Sequence, residues 1–199
     1  SGSRGGVISL LAAILFLVYK RMTNGKKKSI LIIVFLFLLS ISIINYTNPA
    51  TLARMNPKNI IASGGSGRYF IWEVGWRAFC DRPLIGFGLT NFPLAYEMFR
   101  YDFPQSIYYF NRPYLESHNT YLEVLVEAGI VGFVLLVLSL MIHWKALKDK
   151  TYKNEDTIEI QAAFIGIAIS AFFLSMLRSK AFWLLLFFIL ININLSLGQ

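Results

Sequence analysis

Four stretches of the chain run for roughly the thickness of a lipid bilayer with almost no charge. Residues 30–46 and 181–197 carry none, residues 124–142 carry only Glu127, and residues 158–177 carry only Glu159. A helix of 17 to 20 residues rises about 26–30 Å, which matches the hydrocarbon core. A soluble helical protein would interrupt each stretch with polar residues every three or four positions. These stretches lack that interruption, so four membrane helices are expected. Residues 7–19 are apolar too but short; with Ser1 to Gly6 added they reach spanning length, with Arg4 about one turn inside the end. The chain starts on Ser rather than Met and shows no signal-peptide pattern. We therefore expect a fragment that begins at the outer end of a fifth membrane helix.

The net charge of +8 raises two possibilities, nucleic acid or membrane, and the positions of the charges separate them. The connection 20–29 holds Lys20, Arg21, Lys26, Lys27 and Lys28, and the connection 143–157 holds Lys145, Lys148, Lys150 and Lys153. Basic residues concentrated in short loops mark the cytoplasmic side. The long segment 47–123 is then extracytoplasmic, and Arg4, Arg178 and Lys180 fall on that same outer side. Topology accounts for the positive charge, and no nucleic-acid partner is expected. Cys80 is the only cysteine, which excludes a disulfide scaffold. The fold class is an all-α polytopic membrane protein of about five transmembrane helices with one long extracytoplasmic loop containing short amphipathic helices. Residues 1–46 form two spans, 47–123 the outer loop, and 124–199 three spans.

A connection of this length is expected to carry the function. Ser66 can cap a helix from about Gly67 to Asp81, stopped by Pro83. Tyr69, Trp72, Trp76 and Phe79 form one stripe on that helix, which suits an amphipathic helix lying on the membrane or on the bundle. Glu73 and Arg77 are spaced as an i,i+4 pair. Pro83-Leu84-Ile85-Gly86-Phe87-Gly88 reads as a structural turn, although glycine amides can also face an anion. Nine aromatic residues between 92 and 114 suit either sugar stacking or the membrane interface, and the interface is favoured. The block from Glu116 to Glu123 runs straight into the helix 124–142. Ser117 can cap that helix, placing His118 in its first turn, while Gly129 and Gly132 permit close packing with a neighbouring helix. Glu127 is expected at the headgroup level, and His143 reads as an interfacial anchor at the cytoplasmic end.

Three pieces stand in a telling order: Ser3-Arg4-Gly5 opening a membrane helix, Arg68 followed by Trp72 and the Pro83–Gly88 turn, and His118-Asn119-Thr120-Tyr121-Leu122 followed by Glu127-Ala128-Gly129-Ile130-Val131-Gly132. With a long outer loop between spans, this order resembles the C-terminal half of the O-antigen ligase and polymerase superfamily of bacterial cell-surface glycan assembly. The resemblance implies a glycosyltransferase in the bacterial cytoplasmic membrane with its functional loop outside. It implies an undecaprenyl-pyrophosphate-linked oligosaccharide donor, a glycan or lipid acceptor, no metal and no cofactor. It also implies that Arg4, Arg68 and His118 are the essential residues. Five to seven further spans, each of roughly 20 residues, are expected upstream.

The residue types fit that chemistry. Guanidinium groups grip phosphate oxygens in pairs and stay charged, so Arg4 and Arg68 suit a leaving pyrophosphate. His118 titrates near neutrality and can take the proton of an acceptor hydroxyl. Asn119, Tyr121, Trp72 and Arg112 are candidate substrate-binding residues; Arg100 and Glu116 stand in reserve. The outer acids show no ligand spacing, so no metal site is expected. Blander readings stand beside each residue: Arg4 snorkelling to headgroups, Arg68 stacking on Trp72, His118 satisfying a helix end. A flippase for lipid-linked sugars, which places charges along a path inside the bundle, and a non-catalytic assembly subunit are the alternative functions. Ligase and polymerase share the donor chemistry, so the motifs leave both open.

Overall fold

The computed structural model describes residues 4–23, 68–104, 116–148 and 157–197. Among them the chain is helical, with no strand: α1 (Arg4–Thr23), α2 (Arg68–Asp81), α3 (Phe92–Phe99) with a single 3-10 turn at Arg100–Asp102, α4 (Thr120–Lys148), α5 (Thr157–Ser170) and α6 (Lys180–Leu197). The expected span 30–46, residues 47–67 and Arg112 lie outside the described residues.

Among the described residues one helix, α4, is long and apolar enough to cross a membrane, and only 17% of its apolar window is buried within the protein. The core helix of a soluble protein would be mostly covered. The expected span 158–177 is shorter than its composition suggested: α5 stops at Ser170, and Ala171–Ser179 turns back before α6. Thr120 holds that turn. Its N–H donates to the Ala171 carbonyl at 2.7 Å, its hydroxyl donates to the Leu174 carbonyl at 2.7 Å, and the same oxygen accepts the Met176 N–H at 2.7 Å.

These contacts also set the order of the bundle. The start of α4 meets the end of α5, and at the other end the Gln161 amide donates to the Leu147 carbonyl at 2.6 Å. Helices α4 and α5 are therefore antiparallel. Helix α1 lies along α5 in the same sense as α4. A Cβ on Gly5 would meet Phe173 at 2.3 Å, so the start of α1 touches the turn after α5. Its last turn pairs Arg21 with Glu159 in the first turn of α5. The first residues of α1, α4 and α6 thus gather at one end of the bundle. Lys20, Arg21, Lys145 and Lys148 occupy the last turns at the opposite end.

A small core packs under α2. Ile71, Val74 and Ala78 recur at helical spacing and are buried against Phe92, Ala95 and Tyr96 of α3 and Leu122 and Val126 of α4. Each large apolar side chain buried this way contributes roughly 1.5–3 kcal/mol. Phe92 and Tyr96 are therefore core residues, not interfacial rings. The aromatic stripe is divided: Tyr69 and Trp76 are exposed, while Trp72 and Phe79 pack against this core. Arg77 does not pair with Glu73; its guanidinium lies over the Phe99 ring and 3.7 Å from Asp102.

The helix α4 is interrupted. Gly129 has φ 63 and ψ −165, which ends one helical segment and starts another. Breaking a helix strands carbonyls on one side and amides on the other. The Pro83–Gly88 turn supplies both sets of partners: Phe87 and Gly88 N–H donate to the Val126 and Glu127 carbonyls at 2.9 and 2.8 Å, while Ile130 and Val131 N–H donate to the Pro83 and Leu84 carbonyls at 2.8 and 3.4 Å. Glycine is required at both surfaces of this joint. A Cβ on Gly129 would lie 2.3 Å from the Leu84 oxygen, and one on Gly86, with φ 67, would lie 2.5 Å from the Val126 oxygen. Gly129 therefore serves a break filled by a loop, not helix–helix packing. The amides of Phe87 and Gly88 are spent on this joint and do not face an anion.

Candidate functional site

Three of the residues singled out by sequence stand at or just before helix starts. Arg4 is the first residue of α1 and Arg68 the first of α2. His118 lies two residues before α4. The cap of α4 is Asn119, not Ser117: its Oδ1 accepts the Tyr121 and Leu122 N–H groups at 3.0 and 3.2 Å. His118 consequently precedes the helix, outside its first turn, with φ 48. The left-handed region is uncommon for a residue with a Cβ and is held only where the surroundings over-determine it.

Those surroundings are specific. Ser117, fully buried, accepts the Asn119 N–H at 3.1 Å on its hydroxyl, and its carbonyl accepts the Trp72 indole N–H at 3.0 Å. The indole bond ties the first turns of α2 to the His118 turn. The His118 imidazole is half-buried and has no hydrogen-bond partner among the described residues. Burial pushes its pKa below the ordinary 6.5, the Arg68 guanidinium pushes it the same way, and Glu116 opposes both. The ring is therefore kept neutral near pH 7, with a nitrogen lone pair available to accept a proton.

Beside the turn lies an open groove of about 470 Å³ between α2 and α4, walled by Tyr69, Trp72, Trp76, Tyr121, Leu125 and Phe133, with Glu73 and Asn119 as polar points. Three of the expected substrate-binding residues, Trp72, Asn119 and Tyr121, face it. Two of them have polar atoms already committed, the Trp72 indole to Ser117 and the Tyr121 hydroxyl to the Ala168 carbonyl at 2.8 Å, so they offer ring faces. Arg100 is engaged elsewhere, 2.9 Å from Glu97.

Two carboxylates beneath the site were not expected. Glu123 and Glu127 are 2% and 3% exposed, so both are covered by the protein itself. Glu127 accepts the Phe92 N–H at the start of α3 at 3.1 Å, and Arg178 reaches it at 4.0 Å. Their i,i+4 spacing was visible in sequence, but the partners that bury them come from segments 35 and 51 residues away. At the far end His143 is also buried, with Nδ1 2.7 Å from the Ser139 carbonyl, and is not an exposed anchor. Among the described residues no three His, Cys, Asp or Glu side chains converge as a metal-binding group.

The family model described as O-antigen ligase matches residues 1–137, a stretch that takes in Arg4, Arg68, His118, the interrupted start of α4 and the turn that fills it. The chain belongs to the O-antigen ligase family. It is also similar to the exopolysaccharide production protein ExoQ of Rhizobium meliloti (strain 1021), 30% identical over 81 residues, which is 38% of this chain and 18% of that protein. The matched part is thus under a fifth of that relative's length. No solved structure matches the chain.

Proposed function

We propose that the protein transfers or polymerises undecaprenyl-pyrophosphate-linked glycan on the extracytoplasmic face of the bacterial cytoplasmic membrane, with His118 as the general base. The observation that carries this reading is the His118 turn: a half-buried imidazole whose pKa is held below its ordinary value, on a left-handed backbone and in the field of Arg68. The proposed topology keeps the five spans and the outer loop 47–123, with the His118 end of the bundle outward and the lysine-rich end inward.

In this reading the donor's pyrophosphate lies at the membrane surface, where α1 and α2 begin. Arg68 and Arg4 bind it, with Arg112 as a further contact, and stabilise the negative charge that grows as the glycosidic bond breaks. The charge that a divalent cation supplies in other glycosyl transfers comes here from guanidinium groups. His118 takes the proton of the acceptor hydroxyl as its oxygen attacks the anomeric carbon, and the pyrophosphate leaves from the opposite side. Such a single displacement inverts the anomeric configuration. The aromatic groove holds the apolar part of a substrate, with Trp72 and Tyr121 presenting rings; its size lies within the roughly 300–1,000 Å³ of small-molecule sites.

The test is transfer by full-length protein given one lipid-linked repeat unit. A ladder of products without any other acceptor identifies a polymerase; product only with an added acceptor identifies a ligase. Arg68→Lys keeps the charge and loses the paired hydrogen bonds, and is expected to lower kcat about tenfold or more. Wild-type rates in that variant would contradict bidentate phosphate binding.

A further inference from the structure

We propose that Glu123 and Ser175 are positioning residues for His118, acting through Ser117; the proposal rests on the reading of His118 as the base. Glu123 is a buried carboxylate that the transfer step does not use. Leaving a carboxylate 2% exposed is costly unless hydroxyls and charges compensate it. The compensation is local: the Ser117 hydroxyl lies 3.4 Å from Glu123 Oε2, and Arg178 bears on the carboxylate from the Ala171–Ser179 turn.

Four groups converge on the buried Ser117 hydroxyl. It lies 2.9 Å from the Asn119 carbonyl and 3.4 Å from Glu123 Oε2, the two acceptors of its proton, and 3.1 Å from Ser175 Oγ. Its oxygen accepts the Asn119 N–H at 3.1 Å. Glu123 from α4 and Ser175 from the turn after α5 thereby hold Ser117 Oγ in place, and Ser117 is the residue beside which the left-handed His118 sits. The same arrangement makes the Ala171–Ser179 turn a wall of the site. That turn lies beyond residues 1–137, the part that matches the family model.

The experiment measures kcat, donor KM and the kcat–pH profile of full-length protein in membranes for Glu123→Leu, Glu123→Gln and Ser175→Ala. A base displaced by about 1 Å loses on the order of 100-fold. Glu123→Leu and Ser175→Ala are expected to lower kcat tenfold or more on that scale, with donor KM within about twofold. Glu123→Gln retains an acceptor oxygen and is expected to recover most of the rate. The pH limb is expected to stay in place, because the charges acting on His118 are Arg68 and Glu116. Wild-type kcat in Ser175→Ala, or a Gln variant no better than Leu, would overturn the proposal even if Glu123→Leu failed to insert. A raised KM with unchanged kcat would overturn it in favour of substrate contact. If His118→Ala is inactive while the Glu123 and Ser175 variants are normal, this proposal alone fails; an active His118→Ala removes the base reading beneath it.

Discussion

Gly129→Ala tests the joint between the interrupted helix and the Pro83–Gly88 turn. The substitution acts twice. At φ 63 and ψ −165 the backbone is in a region essentially reserved for glycine, which costs a residue with a Cβ about 1–3 kcal/mol. The added Cβ would also lie 2.3 Å from the Leu84 oxygen and 2.6 Å from the Ile85 nitrogen, both backbone atoms, so the turn must retreat. Retreat breaks the Ile130–Pro83 and Val131–Leu84 bonds, leaving two helix-start amides without partners at about 1–3 kcal/mol each. The total is roughly 3 kcal/mol or more. Relaxing to a continuous helix would recover part of it and would expel the turn. Thermal unfolding in detergent, together with proteolysis at the turn, measures both effects. Gly166→Ala is the control, since its Cβ would meet Ala13 at an ordinary 3.4 Å. A Gly129→Ala protein that melts like wild type, with the turn equally protected, would refute the argument.

The burial and charge around His118 make a pH prediction. A base must be neutral, so activity rises with pH through a limb that lies below 6.5, because burial and Arg68 both lower the His118 pKa. Glu116→Gln removes the opposing influence and is expected to move that limb lower; an upward shift would contradict the assigned field. For stability, a base with a depressed folded pKa contributes fully above pH 6.5, and the contribution is lost as pH falls below that value. Asn119→Ala removes the cap of α4 and is expected to cost about 1 kcal/mol in thermal unfolding.

Local chemistry is where the sequence was most readable. The α2 helix falls at Arg68–Asp81, within a residue of the bounds expected from its aromatic spacing and Pro83, because both signals act within a turn or two. Arg4 and Arg68 open α1 and α2, and His118 stands two residues before α4, because each sits where an apolar or aromatic pattern begins in the sequence. The misses share a cause, which is dependence on distant partners. Residues 171–177 are almost all apolar and read as helix, but Thr120 takes the turn's backbone groups and bends it back. Nothing near Gly129 announces a break, because its stability comes from carbonyls and amides some 40 residues earlier. Glu127 looks like a surface acid until the start of α3 and Arg178 are placed beside it.

The most direct test of the central claim is glycan transfer by His118→Ala in full-length protein, with membrane insertion and donor binding measured alongside. Loss of a general base costs about 10²–10⁴ in rate, so the account predicts kcat reduced by that factor with donor affinity retained. Transfer at the wild-type rate and with the wild-type pH limb would contradict it.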